Sequence, residues 1–533
     1  MFKHSTILFL VITLLVCQPA WAQRKHKRGR SLDTTAVAEA RVKEIWNLIQ
    51  DRYVESPDMD SLATQAIVAM LKTLDPHSIY IPAKDVQKAN ENLQGNFEGV
   101  GISFQVVDDT INVVEVIAGG PSSGVGILPG DKIIRIDGLP ATGDSVNNTF
   151  VSNHLRGPKG SSVSIAVLRG QAEKEFKVTR GKVPIRSVDT WFMASDTVGY
   201  IKLERFARTS VDEVRAALDD LQRQGMKSLM LDLRGNSGGF LDIATSLANE
   251  FLSARKLIVY QEGRRQPRHS YSTNSHGRFR DGRLVVLIDE NSASASEIVS
   301  GAIQDWDRGT IVGRRSFGKG LVQRMFSMKD GSQVRLTTAR YFTPSGRCIQ
   351  KPYKAGSDAY RNDIYERYKH GELLSQDSIH FPDSLMFKTA SGRVVYGGGG
   401  IMPDVFVPMD TTKLSEYYVT LRNKGLVNEF PLRWVNSHRE LEALGFDRFM
   451  QLYDTYSIDE DFAAFAKAKG YAVTDTSVSA DLQRLATTQN YQHLILKALI
   501  AKNLYGTKYY YKIMKDIDPC YKKAFEVVTA KQE

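Results

Sequence analysis

Two short segments of the chain carry residue types that could together break an acyl bond. The first, Asn291–Glu297, places three serines between alanines, after an apolar strand and at the predicted start of a helix. In the second segment, Lys319 is flanked by Gly318 and Gly320. A serine hydroxyl is a weak nucleophile at neutral pH and needs a base, and a lysine can be that base where burial disfavours its ammonium form. The two segments therefore predict Ser294 as nucleophile and Lys319 as general base.

A nucleophile at the start of a helix lies close to backbone N–H groups and to the positive end of the helix dipole, both of which stabilise an oxyanion. We predict the Ala295 N–H as one oxyanion donor. The second donor would be Gly238 or Gly239, in the glycine-rich turn after a neighbouring strand. Gln323 follows Lys319 by a spacing at which helix and strand both return to nearly the same face, so its amide could orient the lysine.

The serines also have a simpler interpretation, because serine is a favoured residue at a helix N-cap. Ser292, Ser294 and Ser296 exceed what one cap needs, which favours the catalytic interpretation. A separate match to the nucleophile elbow of hydrolases, Gly120–Gly124, contains Ser122. That elbow needs a strand before the serine and a helix after it, whereas this serine follows a proline in an all-β region. Ser122 is therefore not predicted to be a nucleophile.

The elements that must position the serine and lysine have the pattern of an α/β core. Leu229–Leu233 and Leu284–Ile288 are continuous apolar strands, each followed by a small-residue turn and an amphipathic helix. Two such units predict an α/β core over residues 183–408, in which ligands meet the carboxyl ends of the strands. Residues 23–96 read as a basic tail followed by helices, and residues 409–533 as a helical extension.

Residues 97–182 form a β-rich region bounded by glycines. Its segment Phe97–Phe104 has two glycines just before a strand, where consecutive N–H groups could hold a terminal carboxylate while a peptide adds as a strand. The residues of this predicted carboxylate site are Gly99, Val100, Gly101 and Ile102. An ordinary glycine turn is the alternative, and the segment Leu128–Gly138 favours the binding interpretation.

The first 22 residues have the features of a secretory signal: a lysine, a short apolar run and the cleavage pattern Ala20-Trp-Ala22. A lipidated Cys17 is the alternative, although the valine before it is a poor residue there. No later segment has a run of about 18 apolar residues. We therefore expect an exported, periplasmic protein with at most peripheral membrane contact.

The chain has a net charge of +10, but its basic residues are dense only over Arg24–Arg30. That run resembles a solvated tail that could touch anionic lipid headgroups, and nucleic-acid binding is not predicted. The ten histidines show no metal-ligand spacing, so we predict neither a metal nor another cofactor. An exported compartment permits a disulfide between Cys348 and Cys520, but the sequence does not decide whether they meet.

Seven segments together resemble the carboxyl-terminal processing peptidases, also called tail-specific proteases. These segments are Phe97–Phe104, Leu128–Gly138, Leu155–Gly160, Asp232–Gly239, Ser292–Glu297, Gly313–Gln323 and Gly397–Asp404. The resemblance implies a crotonase-like α/β core with an inserted PDZ domain. It also implies Ser294 as nucleophile, Lys319 as base, Gln323 as the residue that orients the lysine, and protein or peptide substrates recognised through their carboxyl termini.

The sequence therefore predicts an exported serine endopeptidase, without indicating its oligomeric state. One alternative is an inactive PDZ scaffold that binds protein carboxyl termini, which the joint presence of serine, lysine and glutamine disfavours. Another is a related hydrolase with a histidine base. No histidine lies near the motifs, because the nearest, His269 and His276, fall in a polar loop.

Overall fold

The structure is a computed structural model that describes residues 34–412, 414–471 and 482–530. The predicted signal segment 1–22 and the basic run 24–30 lie outside the described residues. The chain divides into two compact units, Met1–Leu71 and Lys72–Glu533.

The first unit holds two helices, α1 (Thr34–Arg52) and α2 (Met59–Lys72). Neither helix has a buried residue. Both helices were predicted from the helical spacing of their apolar residues.

The second unit begins with a short strand and a helix, β1 (Ile79–Ile81) and α3 (Ala83–Gln94). A β-rich domain follows. Its elements are β2 (Asn96–Gly99), β3 (Ile102–Val107), β4 (Thr110–Val116), β5 (Lys132–Ile136), β6 (Leu139–Pro140), α4 (Asn148–Leu155), β7 (Ser162–Arg169), β8 (Ala172–Thr179) and β9 (Gly181–Pro184). The strand order β3-β4-β5-β7-β8 makes β3 an edge strand. Asn147 caps α4, because its side chain accepts hydrogen bonds from the N–H groups of Thr149 and Phe150.

Two large sheets, one two-stranded sheet and four helices form the α/β core. Its elements are β10 (Val188–Met193), β11 (Val198–Leu203), α5 (Ser210–Arg223), β12 (Ser228–Asp232), α6 (Leu241–Asn249), β13 (Leu257–Gly263), β14 (Gln266–Ser272), β15 (Arg283–Ile288), α7 (Ala295–Asp305), β16 (Thr310–Gly313), β17 (Leu321–Ser327), β18 (Gln333–Phe342), α8 (Ser357–Lys369), β19 (Met386–Lys388), β20 (Val394–Tyr396) and β21 (Val405–Phe406).

The larger sheet has the order β10-β11-β12-β15-β16-β21 and is parallel from β11 onward. Strands β12 and β15 lie side by side in its centre, as their continuous apolar sequences predicted. The second sheet has the antiparallel order β1-β18-β13-β14, with β17 also paired to β18. Helices α5, α6 and α7 pack on one face of the larger sheet. The carboxyl ends of β12 and β15 therefore bring the two predicted turns together.

The C-terminal region is helical, as predicted. Its helices are α9 (Glu416–Asn423), α10 (Leu426–Asn436), α11 (Phe446–Leu452), α12 (Ile458–Ala468), α13 (Leu482–Tyr505), α14 (Thr507–Met514) and α15 (Pro519–Thr529). Most of them share an apolar core of their own. Helix α15 instead packs Tyr521 and Ala524 against Tyr200, Met230 and Leu287 on the second face of the larger sheet. The last helix is thus part of the peptidase core, which the sequence analysis did not foresee.

Cys348 and Cys520 are both free thiols, so they do not form the disulfide that the sequence left open. None of the described helices is both long and apolar enough to cross a bilayer.

Candidate active site

The structure separates the three serines of the run after β15. Ser292 and Ser296 are fully buried, and their hydroxyls donate to the backbone carbonyls of Leu233 and Asn236 at 2.9 and 2.8 Å. Both bonds fasten the turn after β15 to the turn after β12. Ser294 is only half-buried and lines a pocket of about 410 Å³. Of the three, Ser294 is the serine that a substrate could reach.

Ser294 has an unusual backbone conformation, with φ of +56° and ψ of −110°. A residue other than glycine pays about 1–3 kcal/mol for such strain, which persists only where its surroundings enforce it. It is the residue before α7, so it also stands at the N-cap, and the cap interpretation is compatible with the fold. This sharp turn holds the Ser294 side chain in a fixed place at the edge of the pocket.

The loop that carries Lys319 passes close to neighbouring backbone, as its flanking glycines predicted. A Cβ on Gly318 would lie 3.1 Å from the Gly400 nitrogen, and one on Gly320 would lie 2.9 Å from the Gln350 nitrogen. Neither position has room for a larger residue. This close packing brings Lys319 into the same pocket as Ser294.

The electrostatic surroundings of Lys319 favour its neutral form. Burial lowers its pKa below the usual lysine value, and the positive charge of Arg335 lowers it further. Glu297 and Asp75 act in the opposite direction, Glu297 more strongly. Within the described residues, the Lys319 Nζ atom has no hydrogen bond and no ion pair. A lysine with a lowered pKa is suited to act as a base.

A buried carboxylate, Glu297, connects the nucleophile turn to the lysine loop. Its Oε2 accepts hydrogen bonds from the backbone N–H groups of Ser294 (2.7 Å) and Lys319 (2.8 Å). Its Oε1 accepts from Ser316 Oγ (2.5 Å) and the Gly318 N–H (2.7 Å). Burial raises the Glu297 pKa, and these hydrogen bonds counteract that effect. The sequence analysis included Glu297 only as the end of a motif, although a glutamate three residues after a helix-capping serine signals a capping box.

Tyr341 is a second link between the same two segments. Its hydroxyl donates to the Lys319 carbonyl oxygen at 2.6 Å and lies 3.1 Å from the Ser294 carbonyl oxygen. The side chain is buried, at 1% exposure. Glu297 thus binds the backbone N–H groups of Ser294 and Lys319, and Tyr341 binds their carbonyls, so the two residues are fixed relative to each other from both sides.

The structure distinguishes the predicted oxyanion donors. Gly238 and Gly239 line the pocket, but the Gly238 N–H donates to Asn236 Oδ1 at 2.9 Å. The N–H groups of Gly239 and Ala295 have no hydrogen bond to any described residue. A Cβ on Gly238 would lie 2.8 Å from Ser294 Cβ, so this glycine is needed for close packing. Gly239 lines the pocket, whereas Ala295 is fully buried and is not among its lining residues, so the role of both as oxyanion donors stays a prediction.

Gln323 lies on β17 and lines the same pocket as Ser294 and Lys319. Its Nε2 donates to Thr337 Oγ1 at 3.1 Å on the neighbouring strand β18. Its predicted role in orienting the lysine stays a prediction.

One histidine that is far from the motifs in sequence comes close to Lys319 in the structure. His77, in the loop between α2 and β1, is close enough to feel the charge of Lys319. Burial, and then that charge, lower the His77 pKa to about 4, and its Nε2 is 2.9 Å from the Tyr360 hydroxyl. His77 is far from the motifs in sequence and is close to Lys319 only in space. With such a low pKa, His77 is a poor base near neutral pH.

Three of the four residues predicted to hold a carboxylate line a groove of about 270 Å³ between β3 and α4. These are Val100, Gly101 and Ile102. Gly99 instead ends β2, where it pairs with β9. The N–H groups of Val100 and Gly101 have no hydrogen bond within the described chain. Gly101 has a φ of +79°, and a Cβ there would lie 3.1 Å from the Gly120 Cα. The conformation and the crowding both require glycine at this position.

The rest of this groove is largely apolar, with Phe97, Phe104, Val151 and Leu155 among its lining residues. Because β3 is the edge strand of its sheet, an extended peptide could pair with it.

An α/β core that brings a reachable serine and a partly buried lysine into one pocket, beside a β domain with an open edge strand, defines a serine peptidase with a peptide-binding module. Comparisons with known families agree with that class. The model of peptidase family S41 matches residues 197–356, and the PDZ domain model matches residues 99–179. A third model, of a family of unknown function (DUF8443), matches residues 417–506.

Individual relatives cover more of the chain. It is 33% identical over 399 residues to a carboxy-terminal-processing protease of Bartonella bacilliformis, an alignment that covers 74% of this chain and 90% of that protein. It is 32% identical over 311 residues to a Staphylococcus aureus protein described as "Probable CtpA-like serine protease", covering 58% of this chain and 62% of that protein.

Among solved structures, a photosystem II D1 C-terminal processing protease shares 26% identity, covers 70% of this chain and 93% of its own, and has a TM-score of 0.36. That structural similarity is low, so the assignment depends on the sequence comparisons. The chain belongs to peptidase family S41 and is a C-terminal processing serine peptidase with a PDZ domain.

Proposed function

We propose that this chain is an exported peptidase that cleaves protein substrates near a free carboxyl terminus, using Ser294 and Lys319 as a catalytic dyad. The observation that carries the dyad is the shared pocket, in which Glu297 and Tyr341 hold the backbones of both residues. The lowered pKa of Lys319 supports its role as base.

In the first chemical step, Ser294 Oγ attacks the scissile carbonyl carbon while Lys319 Nζ accepts the hydroxyl proton. Lys319 must therefore be neutral at the start. The oxyanion that forms would be stabilised by the N–H groups of Gly239 and Ala295, and losing one such donor costs about 2.7–4 kcal/mol of barrier. When the intermediate collapses, the C–N bond breaks and the leaving amine takes the proton from Lys319.

The second step releases the acyl group. A water molecule attacks the ester carbonyl while Lys319 accepts one of its protons. The ester C–O bond then breaks, Ser294 recovers its hydrogen, and the carboxylic acid product leaves.

Substrate capture is proposed at the groove between β3 and α4. The N–H groups of Val100 and Gly101 would bind the terminal carboxylate, and the apolar lining would accept an apolar last side chain. The peptide would extend along the open edge of β3.

Export to the periplasm is proposed from residues 1–22, whose composition is that of a secretory signal. Fractionation of cells that express the full chain should recover the protein from the periplasm, shortened at its amino terminus. Recovery of the uncleaved chain from the cytoplasm would contradict export.

The central test compares mature wild type, Ser294→Ala and Lys319→Ala on an unfolded protein substrate with a free apolar carboxyl terminus, and on the same substrate with that terminus amidated. We expect cleavage by wild type alone, and faster cleavage of the free terminus. Undiminished cleavage by either variant would contradict the dyad. Equal cleavage of the two substrates would contradict carboxylate capture.

A further inference from the structure

Asp75 is a buried carboxylate in the loop between α2 and β1, at 8% exposure. Its Oδ1 accepts hydrogen bonds from the backbone N–H groups of His77 (2.8 Å) and Ser78 (2.9 Å), and its Oδ2 accepts from Ser78 Oγ (2.6 Å). These three bonds fix the carboxylate firmly in place. Pro76, the residue after Asp75, is enough to keep α2 from continuing. The end of α2 therefore does not explain why a carboxylate is buried at position 75.

A fourth hydrogen bond leads from Asp75 toward the peptidase pocket. Thr337 Oγ1 donates to Asp75 Oδ1 at 3.1 Å, and Gln323 Nε2 donates to the same Thr337 Oγ1 at 3.1 Å. Gln323 and Thr337 are directly paired in the antiparallel register of β17 and β18. Asp75, Thr337 and Gln323 therefore form a chain of hydrogen bonds that ends at the pocket wall.

The chemistry of the first member sets the direction of this chain. A carboxylate accepts hydrogen bonds and donates none, and a threonine hydroxyl has a single proton. Thr337 gives that proton to Asp75, so it can only accept from Gln323. The amide of Gln323 must then turn its nitrogen toward Thr337, which leaves its carbonyl oxygen for other donors. The orientation of the amide follows from the network and not from a free choice between two flips.

Lys319 needs an acceptor of this kind. Its Nζ has no hydrogen bond or ion pair among the described residues, and it lines the same pocket as Gln323. When it takes the proton of Ser294 it becomes an ammonium in a partly buried place, where a fixed carbonyl dipole stabilises the new charge.

We propose that Asp75 is a positioning residue of the peptidase reaction, which acts through Thr337 to hold the Gln323 carbonyl oxygen ready for the Lys319 ammonium. The proposal rests on the proposed function, because it requires Lys319 to be the base.

The charged and titratable groups around Lys319 come from three sides. Glu297 lies on α7, Arg335 on β18, and Asp75 and His77 in the loop after α2. Glu297 and Asp75 favour the ammonium, and Arg335 disfavours it. Loss of an acceptor or of a nearby negative charge therefore lowers the pH at which Lys319 becomes neutral.

The test is a double-mutant cycle in the full chain, with Thr337→Val, Gln323→Ala and the double variant. We expect Thr337→Val to lower the plateau kcat by about 10- to 100-fold with little change in KM, because a misplaced catalytic group costs a factor of that size. The acid limb of its pH–rate profile should move to lower pH. In the Gln323→Ala background, the same substitution should have no further effect. Thr337→Ser, which keeps the hydroxyl, should restore most of the lost rate.

Thr338→Val is the matched control. Its hydroxyl is buried on the neighbouring position of the same strand and has no hydrogen-bond partner in the described chain. It should therefore keep the wild-type kcat and pH profile. Asp75→Asn keeps an oxygen for Thr337 and removes only the negative charge, so it should move the acid limb to lower pH with little loss of the plateau kcat. Thermal unfolding of each variant separates loss of fold from loss of positioning.

Two outcomes would overturn the proposal. One is a Thr337→Val variant with the wild-type rate and pH profile. The other is a Thr337→Val effect that is undiminished in the Gln323→Ala background. Either result, alongside inactive Ser294→Ala and Lys319→Ala variants, would leave the dyad intact and remove only the role of Asp75. Full activity of the Lys319→Ala variant would instead remove the proposed function itself.

Discussion

The peptidase pocket and the PDZ groove are held in shape by different means. Around the pocket, the buried carboxylates Glu297 and Asp75 and the buried hydroxyl of Tyr341 make specific hydrogen bonds to the segments that carry the chemistry. The groove has no comparable buried acid among its lining residues, and its form depends on Gly101 and on apolar packing.

This difference fits the two roles proposed for these regions, bond cleavage at the pocket and peptide capture at the groove. Bond breaking needs donor and acceptor atoms fixed within a fraction of an ångström, and buried charge-assisted hydrogen bonds provide that. Capture of varied peptide ends needs an open strand edge and an adaptable apolar wall. Substitutions in the pocket should therefore affect kcat most, and substitutions in the groove should affect KM most.

The largest effect is expected for Glu297→Gln. Four donors converge on the two carboxylate oxygens, whereas a glutamine presents one oxygen and one NH2 group, so in either orientation at least one backbone N–H would face another donor. We expect kcat to fall by about 100-fold or more, because this clash would displace the Ser294 turn or the Lys319 loop. Steady-state kinetics on a peptide substrate measures the loss.

Glu250→Gln is its control, because Glu250 is equally buried but pairs with Arg215, away from the pocket. That variant should unfold at a lower temperature and keep its kcat. Equal losses of kcat in the two variants would show that burial of charge, and not the anchor, is responsible.

The next effect should appear at the groove, with Gly101→Ala. An alanine there would be strained at a φ of +79° and would contact Gly120. We expect KM for a free-tailed substrate to rise by about tenfold, corresponding to roughly 1–2 kcal/mol of strain and lost fit. The kcat should change little.

Gly119→Ala is an unusually close control for that change. Gly119 has the same φ of +79°, but nothing lies within 4 Å of a Cβ there. It carries the backbone strain without the crowding. A similar rise of KM in both variants would assign the effect to strain and not to the groove.

The placement of Ser294 and Lys319 in one pocket could be predicted from the sequence, because each lies in a recognisable small-residue segment. Asp75 and Tyr341 could not, because their roles exist only through contacts with residues far away in the chain. Asp75 precedes Pro76 and by sequence resembles part of an ordinary turn after a helix, and the burial of its side chain leaves no local periodicity. His77 was missed for the same reason, since sequence distance was used in place of spatial distance. The edge position of β3 also depends on strand order, which alternation alone does not give.

A smaller effect is expected from removing one of the charges that act on the pKa of Lys319. Arg335→Gln removes a positive charge that lowers the Lys319 pKa, so that pKa should rise. Because the base must be neutral, the acid limb of the kcat/KM profile should then move to higher pH. Arg340→Gln, on the same strand but exposed, removes an equal charge without acting on Lys319 and should leave the limb in place.

A histidine base is the alternative explanation of the acid limb, and His77 is the residue to test. With a pKa of about 4 it is already neutral where the enzyme would work, so His77→Gln should not remove the acid limb. Disappearance of the limb in this variant would indicate a histidine base.

The smallest effect is expected where the PDZ domain meets the C-terminal helices. Asp108 binds Lys469 and Arg433, but it is 58% exposed. The hydrogen bonds from Lys469 and Arg433 lower its pKa, so its contribution to stability is present above the ordinary aspartate range and is lost as the pH falls through the lowered value. Asp108→Asn should cost about 1 kcal/mol or less, because exposed ion pairs are screened. The difference in Tm should shrink at high salt, and a salt-independent loss would contradict this account.

The position of α15 has a consequence for how the chain is synthesised. Pro519–Thr529 covers Tyr200, Met230 and Leu287, which leave the ribosome hundreds of residues earlier. One face of the central sheet must therefore stay exposed to solvent through most of translation, and an exposed apolar face promotes aggregation. A chain interrupted before Pro519 would keep the proposed catalytic residues Ser294 and Lys319 and would still expose that apolar face. Only chains that include Pro519–Thr529 can bury this face.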